Sequence, residues 1–143
     1  MSRSGYTDDY DDPDYNNALE LYRGNVDRAV AGKRGQALLR EMAEALDAMP
    51  EKKLIEEALE YNGQHCALGI VGAKRGIDFS KIQDDAPEQV ARAFGIATCL
   101  AAEIAYINDD AGPWVGPHGH VETPEERWKR VRAWVGNQIK KEA

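Results

Sequence analysis

Basic residues recur beside glycine in this chain, at Arg23-Gly24, Gly32-Lys33-Arg34-Gly35 and Lys74-Arg75-Gly76. Glycine bares backbone amides and lets the chain come close to a ligand, so an adjacent Lys or Arg can build an anion pocket. Guanidinium forks grip phosphate in two places, and aromatic rings stack on bases. Arg23, Lys33, Arg34 and Arg75 with Arg127, Arg130 and Trp134 are therefore the candidate site for a small phosphorylated, nucleotide-like ligand, with Trp114 and Trp128 as further stacking surfaces. The same pairing is also ordinary helix punctuation. Basic residues in a last turn complement the helix dipole, and a following glycine supplies the left-handed stop.

Other constellations are weaker. His118 and His120 with Asp109 and Asp110 have the donor types of a zinc or manganese site, and Glu103 or Asp109 would serve a metal-assisted hydrolase. His-x-His has no second ligand cluster at recognisable spacing, so neither a metal nor another cofactor is expected. Cys66 beside His65 is not a nucleophile and base pair, because adjacent strand residues point to opposite faces. Val90-Ala91-x-x-Phe94-Gly95-Ile96 has the offsets of a helix-turn-helix. Its second helix carries Glu103 as the one charge and no Lys, Arg, Gln or Asn before residue 108 to read base edges. No Gly-rich phosphate loop of familiar spacing occurs.

The elements that would position these residues are mainly helical. A chain of 143 residues suffices for one domain and buries about 68–70% of its unfolded surface without staples. Its 25 acidic residues against 18 basic ones give a net charge of −7, which repels nucleic acid. Two cysteines in apolar segments and no signal-like amino terminus point to a reducing cytoplasm, and no apolar run is long enough to cross a membrane. Residues 1–17, with five aspartates and Arg3, read as a disordered acidic tail, and residues 18–143 as a single helical domain.

The domain reads as a compact bundle of about six short helices. Asn17 with Glu20 caps a first helix to Ala31, and Leu38, Leu39, Met42 and Leu46 mark a second over residues 36–48. A short helix at 51–57 precedes a hairpin near residues 57–66, signalled by Asn62-Gly63. A buried helix from Cys66 ends at Arg75-Gly76. Asp85 with Glu88 caps the next, which stops at Gly95, and another follows over 97–107. Thr123, Pro124 and Glu126 open the last helix.

The segments Gly32-Lys33-Arg34-Gly35-Gln36, Cys66-Ala67-Leu68-Gly69, Phe94-Gly95-Ile96, Asn108-Asp109 and Glu122-Thr123-Pro124-Glu125-Glu126-Arg127-Trp128 together resemble a group of short bacteriophage and prophage accessory proteins. The resemblance spans about Tyr22 to Ile139. It implies a phage accessory origin, a class in which many small proteins counter host defence, and with the basic clusters and tryptophans it points to stoichiometric binding in the infected cell. On that reading it sequesters a phosphorylated small molecule such as a nucleotide signal, or blocks a host defence protein. Self-association is compatible with the sequence, and catalysis is not required by it.

Overall fold

The apolar spacing of Leu38, Leu39, Met42 and Leu46 is realised as a helix whose inner face is fully buried. Each such side chain contributes about 1.5–3 kcal/mol by leaving water. The computed structural model describes residues 3–6, 13–112 and 121–140, and of 13–17 the backbone alone. The described helices are α1 (Pro13–Ala31), α2 (Lys33–Asp47), α3 (Ala67–Arg75), α4 (Pro87–Phe94), α5 (Thr98–Asp109) and α6 (Pro124–Gln138). Between α2 and α3 lies an antiparallel hairpin of β1 (Glu60–Tyr61) and β2 (Gln64–His65), with Glu60 opposite His65 and Tyr61 opposite Gln64. Asn62 and Gly63 turn it with φ of 52° and 76°, the pair of positive values a two-residue hairpin turn demands.

One hydrophobic core joins these elements. α2 packs on α3 and α6, while α5 is flanked by α1, α3, α4 and α6. Gly35 explains one glycine of the basic clusters. A Cβ there would lie 2.0 Å from the Ala29 carbonyl oxygen, so the residue is small because α1 and α2 meet backbone to backbone. Among the described residues no single helix is long and apolar enough to cross a membrane.

Several boundaries depart from the sequence expectations. Within the span read as a tail over 1–17, Arg3 and Ser4 are buried against the body, and α1 starts at Pro13, whose fixed φ suits a first helical position. Residues 7–12 lie outside the described set. No helix forms over 51–57, because tertiary partners take the backbone groups instead: Leu54 N–H donates to the Pro124 carbonyl and Ile55 N–H to that of His65. Asp85 is not a cap; Ala86 holds that position without a side-chain bond. Pro87 disfavours the α conformation at the residue before it, so the helix has to begin at the proline. The Thr123–Glu126 capping box is present with both of its hydrogen bonds.

Candidate functional site

Four of the cations singled out by sequence are paired with carboxylates of this chain, at three places. Arg23 grips Glu103 with both terminal nitrogens at 2.7 and 2.8 Å. Arg75 holds Glu41 at 2.9 and 2.6 Å and also donates to the Phe94 carbonyl at the end of α4. Arg130 pairs with Glu122 and donates to the carbonyls of Ile107 and Asn108, finishing α5. Arg127 donates to the Leu54 carbonyl at 2.8 Å and lies 3.4 Å from Glu122. Of the predicted set, then, Arg127 and Arg130 meet around Glu122, and Arg23 and Arg75 are engaged elsewhere. Lys33 and Arg34 are exposed in the first turn of α2, and Trp134 is half-buried against the core. The Lys74-Arg75-Gly76 cluster is helix punctuation, with Gly76 left-handed at φ 74°, and Gly32 is the N-cap that separates α1 from α2.

The remaining motifs sort by burial. α4 and α5 meet across left-handed Gly95 at 107°, and α5 is packed by four helices, with Leu100 through Ile104 buried. The His65 ring turns to Glu60, while Cys66 caps α3 by accepting from Gly69 N–H at 3.4 Å. Histidine and thiol therefore point apart, as strand geometry requires. Trp114, His118 and His120 lie outside the described residues, and Asp110 is exposed at the end of α5.

A buried polar network that sequence reasoning missed lies where α3, α5 and residues 55–57 converge. Asn108, 1% exposed, accepts from Ala67 N–H at 3.1 Å and donates to the Ile55 carbonyl and to Asp109, each at 2.9 Å. Asp109 accepts from Glu57 N–H at 3.0 Å and forms a two-pronged pair with Arg3 at 2.7 Å on each side. The side chains of Arg3 and Asp109 are only 6% and 3% exposed, so this pair is withdrawn from water. Tyr6 donates to Glu103 at 2.8 Å beside Tyr22, which ties the same amino-terminal segment to α1 and α5. The available signal was the pair Asn108-Asp109 at the end of an apolar helix, together with the Cys66-Ala67-Leu68-Gly69 segment. Neither names Arg3 as the partner.

Burial raises the Asp109 carboxyl pKa. Arg3, by hydrogen bond and charge, together with Glu57 N–H and the Asn108 amide, outweighs this and holds it below the ordinary 3.8. A carboxyl depressed in the folded chain contributes stability that is complete above its unfolded value and disappears as pH falls through the folded one. The expected result is a Tm that falls with acid below about pH 4, with a shallower fall in Asp109→Asn, measured by circular dichroism melts across the pH range.

An open groove of about 520 Å³ lies between residues 51–53 and the start of α6, lined by Glu51, Lys52, Lys53, Glu125, Trp128 and Lys129. The indole is fixed in place: Trp128 Nε1–H donates to the Leu46 carbonyl at 3.2 Å, and Lys52 Nζ sits 5.4 Å from the ring centre. Lys52 also caps the end of α2 through the carbonyls of Asp47 and Met49. Lys53 is loosely paired to Glu51 and Glu125 at 3.7 and 3.8 Å. Among the described residues no three His, Cys, Asp or Glu side chains converge as metal ligands.

No protein-family model, curated protein or solved structure matches this chain.

Proposed function

We propose that the chain acts by stoichiometric binding of a protein partner, and that the Trp128 groove is the surface that engages it. One observation carries this reading: a tryptophan already locked by a hydrogen bond to Leu46 lies in an open groove rimmed by Lys52, Lys53 and Lys129. A pre-ordered aromatic anchor inside a polar rim is the arrangement that concentrates binding energy at protein interfaces. The groove has the volume of a small-molecule site, but its open shape and its two carboxylates suit an extended surface better than an enclosed phosphate. Arg23, Arg75, Arg127 and Arg130, which would have gripped phosphate, are engaged by this chain's own acids, which weakens support for nucleotide sequestration. The resemblance to phage accessory proteins makes a host defence protein the expected partner class, with the bacterial cytoplasm as its place of action.

The test is expression in bacterial hosts that carry defined phage-defence systems. The natural chain is expected to restore plaque formation against at least one of them. Combined Lys52→Glu, Lys53→Glu and Lys129→Glu should abolish that rescue, since even a tenfold loss of affinity, about 1.4 kcal/mol, lowers partner occupancy. Arg34→Ala should preserve it. Calorimetry against a panel of cyclic and linear nucleotides is expected to give no heat. Strong nucleotide binding that the Lys→Glu variant loses would overturn the protein-partner reading.

A further inference from the structure

The Asp109 carboxylate is oriented by groups of the folded body before Arg3 is considered. Glu57 N–H and the Asn108 amide both point at Oδ1, and Asn108 is itself pinned by Ala67 and Ile55. Glu57 adopts φ 65° to aim its N–H there, a left-handed conformation that residues with a Cβ hold only under constraint. Beside the Arg3 side chain, Leu59, Leu68, Val90 and Ala101 line a cavity of only about 10 Å³ that Asp84 also borders. The recess thus offers a planar two-oxygen acceptor for a guanidinium and greasy walls for an aliphatic stem. Its present occupant comes from residues 3–6, an irregular segment of the same chain with Gly5 left-handed at φ 75°. Cys66 Sγ lies 3.7 Å from Arg3 Nη1, at 2% exposure, on the inner wall.

We propose that this recess is an arginine side-chain site, occupied in cis by Arg3 and open to an arginine presented by a peptide segment of another protein. Arg3 acts as a tethered plug: held at high effective concentration, it masks both Asp109 and the Cys66 thiol until a competing arginine takes its place. Lysine does not substitute, because an ammonium lacks the planar fork that meets both carboxylate oxygens. The site is distinct from the Trp128 groove, and its test does not depend on that surface.

The experiment follows Cys66 alkylation by iodoacetamide in the full chain carrying Cys99→Ser, so that a single thiol reports. In the otherwise natural chain the reaction is expected to be slow, because Cys66 is 2% exposed. Arg3→Ala is expected to accelerate it by roughly tenfold or more, because the inner wall opens to solvent. Adding an acetylated, amidated Ser-Arg-Ser-Gly-Tyr peptide to Arg3→Ala should restore the slow rate, and the peptide with lysine in place of arginine should not. Agmatine in the same assay separates recognition of the guanidinium alone, which would protect equally, from recognition of a peptide, which protects better. Should Arg3→Ala lose its cooperative melt, Arg3→Lys replaces it, with the same expected rescue by the arginine peptide. Unchanged alkylation in the variant, or equal protection by arginine and lysine peptides, overturns the proposal.

Discussion

Gly69→Ala is expected to destabilise the fold by about 3 kcal/mol or more, through a backbone collision that no rotamer change can relieve. A Cβ at this position would lie 1.9 Å from the Leu59 carbonyl oxygen and 2.8 Å from its carbon. Both atoms belong to the connector leading into β1, so relief requires α3 to move away from the hairpin. That movement would pull Leu68 and Val71, both buried, off the core and disturb Cys66 at the helix start. Gly24→Ala is the matched control. Its Cβ would meet the flexible tip of Arg28 at 3.5 Å, and replacing glycine inside a helix gains up to about 1 kcal/mol. Urea denaturation followed by circular dichroism reads both. Similar stabilities for the two variants would show that α3 does not approach the connector this closely.

Asn108→Ala carries the second large expected effect, a loss of about 3–5 kcal/mol. The amide is the common partner of Ala67 N–H, the Ile55 carbonyl and Asp109. Truncation leaves a backbone donor and a backbone acceptor without partners in a dry interior, each costing about 1–3 kcal/mol, and adds a small cavity. Asn108→Asp should be no milder. It retains the acceptor for Ala67, loses the donor for Ile55 and places a second carboxylate against Asp109. Thermal and urea unfolding of the two variants is the measurement, and a cost below about 1 kcal/mol for alanine would mean that the network is dispensable.

The proposed arginine site and the acid sensitivity both trace to Asp109, which separates structural from binding contributions. Asp109→Asn removes the charge that Arg3 answers, yet can still accept from Glu57 N–H. Its melting behaviour therefore reports the charged pair, while Arg3→Ala with added peptide reports occupancy of the recess.

Much of the fold follows from rules that act over a few residues. Helical spacing of Leu38, Leu39, Met42 and Leu46 locates α2, Asn62-Gly63 locates the hairpin, and Thr123 to Glu126 locates the start of α6. Local rules failed where a distant partner overrode them. Residues 51–57 have apolar spacing suited to a helix, but Pro124 and His65 take their backbone donors. The basic clusters failed for a related reason. The identity of an arginine says that it seeks an anion, whereas which anion it finds depends on the whole topology. Arg75 finds Glu41 at 34 residues' separation, Arg23 finds Glu103 at 80, and Arg3 finds Asp109 at 106.

By itself the sequence determined a mainly helical chain with one small hairpin, its capped last helix and its apolar inner faces, because propensity, periodicity and turn chemistry operate between near neighbours. Only the tertiary structure decided which carboxylates Arg23, Arg75, Arg127 and Arg130 meet, that Arg3 is drawn into the interior, and that Trp128 borders a groove. Those outcomes turn on burial and charge pairing between residues far apart in the chain, and no local pattern encodes them.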